Sequence, residues 1–295
     1  MQIIEWPEFL ENGLPLGEKF SSLTVGVFDG VHLGHQALIR RVVSRNRNYV
    51  PAAITFVQNH KKASGGIKEY PGDIQSFRQK TAMFESLGLE MVLAAEFTES
   101  FRQMSGNEFM RILLDRCKIG FFAVGSDFRC GYRLDTDASA IRQFFESRNI
   151  PVEIVADVME GSKPVSSSRI RDAIVQGKLK HARAMLGYPF TLELSANPQG
   201  EVSRAPGADA DFSGSESGGV YRFVDQGLVL PPEGRYPVIL REKPAEPSAG
   251  AEGIANESSR GSPPDNGTAA EIIVEKGLVR IPLSGYRWES AEFIN

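Results

Sequence analysis

The chain has 295 residues, 41% of them hydrophobic, with 33 Lys and Arg against 37 Asp and Glu and a formal net charge of −4. That is length enough for one large domain or two ordinary ones, and the charge balance offers no bulk attraction to nucleic acid or a membrane surface. Cys117 and Cys130 form no disulfide framework and lack metal-knuckle spacing, so reduced cytosolic thiols are expected, and neither a signal peptide nor a membrane span is legible.

Leu23 to Phe28 is a short apolar, β-rich run, which suits a parallel strand covered on both faces. Gly30 and Gly34 follow, where the backbone must turn and a ligand can come close. From about His35 the apolar residues change to helical spacing at Ala37, Leu38, Val42 and Val43. Pro51 to Phe56 reads as a second strand, followed by a polar loop from Val57 to about Tyr70. A helix from about Gly72 to Ser86 carries Phe77, Lys80, Thr81 and Phe84 at helical spacing and stops at Gly88. Glu90 to Ala95 is a third strand. Ser105 with Glu108 makes a capping box for a helix through about Cys117. Phe121–Val124 and Val152–Val155 are the fourth and fifth strands. Ser166 opens a helix ending near Gly177, and another runs from about Lys178 to Leu186.

Strands alternating with helices predict an α/β domain, a doubly wound, Rossmann-like parallel sheet. Beyond Gly187 the texture changes. Ala196–Gly219 is rich in Gly, Ala, Ser and Pro, and Lys243–Ala270 reads as a mobile insertion. Tyr221–Val229, Tyr236–Leu240 and Glu271–Ile281 look like strands. The expected organisation is therefore an α/β domain over 1–187 and a small, β-barrel-like domain over 188–295, with an insertion at about 243–270.

His32 and His35 stand three apart where a strand hands over to a helix. The first N–H groups of that helix have no intrahelical partner, and its dipole favours an anion. Two imidazoles add donors for a phosphate under attack. A lone His there would read as a capping or packed residue; the pair within this glycine-bearing string favours the phosphate reading. Ligands on such sheets gather outside the carboxyl ends of the strands, so the loops after Phe28, Phe56 and Val124 should share one rim. Gly125, Asp127 and Arg129 in the last of these suit ribose, base or phosphate, or else a solvated turn. Ser166, Ser167 and Ser168 can cap a helix or hold phosphate, with Arg171 a turn inside it able to reach a departing pyrophosphate; an ordinary cap with surface arginines fits as well.

The string Gly26-Val27-Phe28-Asp29-Gly30-Val31-His32-Leu33-Gly34-His35 resembles the H-x-G-H signature of the nucleotidylyltransferase superfamily. In its longer form it resembles the FMN-adenylylating module of prokaryotic FAD synthetases. Gly125 to Gly131 is similar to that family's G-x-D-F-x-F-G block, with Cys130 where a Phe is usual. Ser166 to Arg171 is similar to its S-S-T-x-x-R block, Lys80 to Gly88 to its K-x-x-L-L-x-x-x-G helix, and Gln176 to Phe190 to the end of the module. The blocks run in order from about Ser21 to Phe190. One block departs: where the family carries F-x-P-H-P, this chain reads Phe56-Val57-Gln58-Asn59-His60.

The resemblance implies transfer of AMP from ATP to FMN, with FAD and pyrophosphate as products and Mg²⁺ arriving with ATP. His32, His35, Ser167 and Arg171 would be catalytic. Gly26, Val27, Phe28, Asp29, Gly34, Gly125, Asp127, Arg129, Ser166 and Ser168 would line the nucleotide, Phe56 and Asn59 the flavin side, with no dedicated protein cage for the metal. In bifunctional relatives a riboflavin kinase barrel with a P-T-A-N motif follows. Here that motif is absent, although Leu230 to Tyr236 resembles the barrel's P-P-x-G-x-Y turn, so a degenerate kinase-like tail without kinase activity is expected. The readings that stay open are a full bifunctional enzyme, a nucleotidylyltransferase for another phosphorylated acceptor, and a non-catalytic flavin-nucleotide binder. The expected partners are small molecules in the cytoplasm, not nucleic acid or membrane; the oligomeric state is not legible.

Overall fold

The computed structural model describes residues 1–57, 70–194, 220–222, 227–242, 267–275, 278–281 and 288–294. The chain divides into two compact units, one of Met1–Asp172 with Ala184–Gly187, the other of Ala173–Arg183 with Tyr188–Asn295.

The first unit is built on six parallel strands, β1 (Gln2–Glu5), β2 (Phe20–Val25), β3 (Tyr49–Phe56), β4 (Met91–Ala95), β5 (Ile119–Gly125) and β6 (Val152–Val155). They lie in the order β1-β4-β3-β2-β5-β6. The connections are α1 (Trp6–Asn12), α2 (Leu33–Ser44), α3 (Phe77–Ser86), α4 (Glu99–Gln103), α5 (Gly106–Arg116) and α6 (Ala138–Glu146); α7 (Ser167–Val175) and α8 (Leu179–Leu186) follow β6, and residues 173–183 of that segment belong to the second unit. The doubly wound parallel sheet expected from the alternating pattern is present. Period-2 alternation sends Leu23, Val25, Ile54, Phe122 and Val124 to one buried face, and Ala53, Phe121 and Ala123 to the other, against Leu38, Ile39, Val42 and Phe84. Ser22 and Thr24 lie fully buried on β2, and Ser22 Oγ donates to the Val42 carbonyl at 2.8 Å. Their small side chains leave room for α2.

Most of the expected elements occur within two or three residues of their predicted bounds. The first strand is the informative difference. Its apolar pattern runs to Phe28, but the ladder stops at Val25. Gly26 N–H donates to the Ile54 carbonyl at 3.1 Å, and after that side chains replace the ladder: Thr55 Oγ1 and Lys80 Nζ both donate to the Val27 carbonyl. Phe28 then turns back at φ +53°, so its apolar side chain is buried without belonging to a strand. The predicted helix over 72–86 is shorter, because Ser76 and Gln79 form a reciprocal capping box that starts it at Phe77. Strand β1, α1, α4 and α6 lie outside the sequence reading.

In the second unit β7 (Thr191–Glu193), β8 (Val220–Arg222), β9 (Gly234–Glu242), β10 (Gly267–Glu275), β11 (Leu278–Ile281) and β12 (Trp288–Phe293) form an antiparallel sheet in the order β7-β12-β9-β10-β11-β8. Leu192, Val238, Leu240, Ile272, Val274 and Phe293 are among its buried residues. Most of the predicted insertion, and the Ser203–Asp209 stretch standing where P-T-A-N is expected, lie outside the described residues.

Gly106 opens α5, where alanine normally favours a helix by about 1 kcal/mol. Here an added methyl would collide with the buried Thr136 side chain. Gly106→Ala is therefore expected to destabilise the protein by about 1–3 kcal/mol, read as a lower denaturation midpoint; a raised midpoint would contradict this packing.

Candidate active site

In the six-stranded sheet the chain adds β3 and β4 on one side of β2, then returns to place β5 on the other. The carboxyl ends of β2 and β5 thus flank the point where the winding reverses, where open α/β sheets hold ligands. A cleft of about 370 Å³ opens there, lined by Gly26–Asp29, His32, His35, Gly125, Asp127–Arg129, Val155–Val158, Ser166–Ser168 and Arg171.

His32 is the N-cap of α2, and its Nδ1 accepts from the His35 N–H at 3.4 Å. In the neutral ring this leaves the proton on Nε2, as a donor. The two imidazoles stack, with centroids 3.6 Å apart and planes 16° from parallel. Burial pushes His32 down to about 4 and His35 well below the ordinary range, and each further charge nearby adds to the effect. His35 Nδ1 is buried with no hydrogen-bond partner among the described residues. The pair is therefore two neutral polar groups at a helix N-terminus. Gly34 is needed beside them, since a Cβ there would stand 3.3 Å from the His32 ring, and a Cβ on Gly26 would stand 3.1 Å from the Phe28 ring. Phe28 and Val31 both hold positive φ, +53° and +27°, a strain of about 1–3 kcal/mol each that surrounding structure must hold in place.

Asp29 is 5% and Arg171 4% exposed, and the two form a buried ion pair through Oδ2 and Nη2. Asp29 Oδ1 accepts from the Ile74 N–H at 2.9 Å. Arg171 also donates from Nε to the Gly72 carbonyl at 2.9 Å and from Nη2 to the Tyr70 hydroxyl at 3.0 Å. Tyr70 in turn donates to Asp73. Burial raises the Asp29 carboxyl above the usual carboxylate range, opposed by Arg171; burial and the Asp73 hydrogen bond raise Tyr70. Ser167 Oγ donates to the Asp29 carbonyl at 2.9 Å, while Ser166 Oγ caps α7 by accepting from the Arg169 N–H at 3.3 Å.

The sequence reading gave the histidines a phosphate under attack and gave Ser167 and Arg171, on a separate helix, phosphate and the departing pyrophosphate. Both line the cleft, yet each is also tied to Asp29 on the histidine side, so the two halves are one bonded unit. Asp127 and Arg129 are exposed on its rim. Phe56 lies elsewhere: with Val25, Val27, Phe97, Phe101, Phe109, Phe128 and Arg129 it lines a second, mainly apolar cavity of about 280 Å³. There Phe56 and Phe97 stack at 4.0 Å and 15°. Val25, Val27, Phe128 and Arg129 are walls of both cavities. Asn59 is outside the described residues. Sequence reasoning missed Lys80, Tyr70 and Asp73 as parts of the site. Lys80 had a visible signal, a lysine on the apolar face of a helix; Tyr70 and Asp73 had none, because their partner is far off in sequence. Among the described residues no group of three His, Cys, Asp or Glu side chains could hold a metal ion, and no helix is long and apolar enough to cross a membrane.

A sequence model of the FAD synthetase family matches residues 17–169, just over half the chain. A FAD synthetase from Listeria monocytogenes is 28% identical over 169 residues, covering 57% of this chain and 69% of its own. A bifunctional riboflavin kinase/FMN adenylyltransferase from Buchnera aphidicola is 28% identical over 176 residues, covering 58% and 56%. Its counterpart in Escherichia coli K12 is 27% identical over 173 residues, covering 58% and 55%. The chain thus matches little more than half the length of these bifunctional relatives. The crystal structure of a macrolide-efflux protein from Streptococcus pneumoniae superposes with a TM-score of 0.71 over 99% of this chain and 98% of that one, at 20% identity, which is a likeness of fold.

The buried histidines set a pH dependence. An unfolded histidine takes up a proton below about 6.5, whereas folded His32 waits until about 4 and His35 lower still. Between those values the unfolded chain binds more protons, so the histidines' contribution to stability is fully present above about 6.5 and is lost as pH falls toward 4. Denaturant unfolding from pH 7.5 to 4.5 is expected to show this decline, and His32→Gln to flatten it; equal slopes for the two proteins would show that His32 is not held neutral.

Proposed function

The chain belongs to the FAD synthetase family, and from that premise we propose that it transfers AMP from ATP to FMN, releasing pyrophosphate and FAD. The observation that carries this reading is the pair of cavities sharing one wall at the sheet's reversal point. One is polar, with a helix N-terminus and neutral histidines; the other is aromatic. An acceptor with a flat apolar ring system and a terminal phosphate fits that division.

A phosphate oxygen of FMN attacks the α-phosphorus of ATP in line. The new O–P bond forms as the bond from the α-phosphorus to the bridging oxygen breaks, and pyrophosphate departs with that oxygen. FMN supplies its own nucleophile, so the protein's task is positioning and charge stabilisation. His32 offers its Nε2–H, and with His35 and the first N–H groups of α2 it meets the oxygens of the α-phosphoryl as their charge grows. Arg171 keeps Nη1 without a partner among the described residues, and this group with the N-terminal amides of α7 meets the leaving pyrophosphate. Asp127, Arg129 and the Gly125 backbone line the nucleotide. Mg²⁺ enters as MgATP. The Asp29 carboxylate is committed to Arg171 and Asp157 accepts from Ser126 at 2.7 Å, which leaves Asp127 at the rim, a donor set suited to an ion held mainly by phosphate and water. The acceptor's ring would lie in the Phe56–Phe97 cavity, with the loop after Phe56 around Asn59 as its outer edge. We assign no riboflavin kinase step, since the P-T-A-N motif is missing, and we place the reaction in the cytoplasm.

Incubating the protein with ATP, Mg²⁺ and either FMN or riboflavin, then separating the flavins by chromatography, tests this directly. FAD is expected from FMN, and neither FMN nor FAD from riboflavin. His32→Ala and His35→Ala are each expected to lower kcat on the order of 10²-fold, the scale of losing one preorganised donor. Near-normal FAD formation by both variants would remove the role assigned to the histidines. Pyrophosphate release with another phosphomonoester but not with FMN would move the acceptor.

A further inference from the structure

Lys80 takes no part in the scheme above. It lies on α3 with 6% of its surface exposed, and among the described residues no carboxylate pairs with it directly. Asp29 and Asp73 act on it only through space, and burial draws its ammonium down to about 8. Its Nζ donates to the Phe56 carbonyl at 2.7 Å and to the Val27 carbonyl at 3.2 Å. The Val27 carbonyl also accepts from Thr55 Oγ1 at 3.1 Å.

These two carbonyls occupy a particular place. The β2–β3 ladder ends with Val25 against Ile54, and Phe56 is the last residue of β3. Lys80 bonds the two strands where backbone pairing has stopped and their chains diverge. Val27 leads into the turn that carries His32 and His35 and is a wall of both cavities; Phe56 is a wall of the aromatic one. A buried cation is a costly way to fill space, and an apolar side chain of similar length would pack there at less expense. What a methionine could not do is donate to both carbonyls at once.

We infer that Lys80 is a positioning residue: by clamping the Val27 and Phe56 carbonyls it sets the distance between the phosphate-transfer turn and the acceptor cavity. It touches neither substrate. The kinetic part of this inference rests on the adenylyl-transfer reading; the structural part does not.

Two variants in the full chain test it, Lys80→Met and Thr55→Val. With ATP, Mg²⁺ and FMN, Lys80→Met is expected to lower kcat about tenfold or more, because misplacing a reacting group by a fraction of an ångström is costly, while KM for ATP stays within about threefold. Thr55→Val, which removes one of the two hydrogen bonds to the Val27 carbonyl, is expected to lower kcat in the same direction by about two- to threefold. Hydrogen exchange of Lys80→Met should show lost protection at the hydrogen-bonded amides of Gly26 and Val57, with the amides of β5 unchanged. A folded Lys80→Met protein with wild-type kcat, or with unchanged exchange at Gly26 and Val57, overturns the inference. If Lys80→Met does not fold, an unchanged kcat in Thr55→Val overturns it. If the wild-type protein makes no FAD, the adenylyl-transfer reading fails by itself, and the exchange pattern still decides whether the clamp exists.

Discussion

The buried pair of Asp29 and Arg171 is the constraint on which the rest of the site depends. Each charge is almost fully removed from water, and the desolvation cost of two such ions is returned only where geometry is good and the remaining donors are satisfied. Here they are. The carboxylate takes the Ile74 amide, and the guanidinium takes the Gly72 carbonyl and the Tyr70 hydroxyl. Such a pair adds little net stability relative to an apolar substitute. Its effect is on arrangement: it joins the turn after β2, the segment 70–74 before α3, and the start of α7. These pieces are separated by 45 to 142 residues, and no backbone ladder connects them.

That arrangement explains the state of the histidines. A phosphate site is commonly furnished with cations, yet here the two groups at the helix N-terminus are neutral, stacked and buried. With their rings in van der Waals contact, double protonation would set two positive charges 3.6 Å apart in a poorly solvated place. Neutral N–H donors avoid that repulsion. Under the transfer proposed above, neutral donors would bind a ground-state polyphosphate less tightly than cations, so their interaction would rise chiefly as charge builds on the transferred group, which is the condition for a contact to accelerate a reaction rather than hold its substrate. The cationic charge of the cleft sits instead at Arg171, paired with Asp29, and at Arg129 on the rim.

Much of the fold was legible in the sequence because its signals are local. The capping box at Ser105, glycine stops and apolar runs placed most of the helices and strands of the first unit, and the alternation of the two placed the sheet. The turn from Gly26 to His35 was legible for the same reason: glycines, a β-rich run and two histidines lie within ten residues. What the sequence did not disclose was long-range or inverted. Strand β1 is four residues at a sheet edge with one buried side chain, too short for its pattern to register. Phe28 has a strand-like residue type but a left-handed backbone, since tertiary bonds to Val27 override its propensity. Arg171 read as a phosphate ligand from its place in a serine-capped helix; its second commitment, to Asp29, is 142 positions away. Lys80 read as one more position on a helix face.

The strained backbone and the buried charges belong to one economy of structure. Phe28 and Val31 hold conformations that an isolated chain would leave. Lys80 and Thr55 bind the carbonyl on one side of Phe28, Ser167 binds the carbonyl and Arg171 the carboxylate on the other, at Asp29. The turn is thus held at both ends by side chains rather than by sheet pairing. Such a device suits a segment that must expose its own backbone amides to a ligand. A strand that continued its ladder would have those amides occupied, and a loop without anchors would pay to order itself whenever a nucleotide arrived. By ending β2 early and pinning its continuation from α3 and α7, the fold leaves a rigid turn between two cavities. Both cavities take Val27 as a wall, so the position of that one residue governs how a group bound in either cavity faces the other.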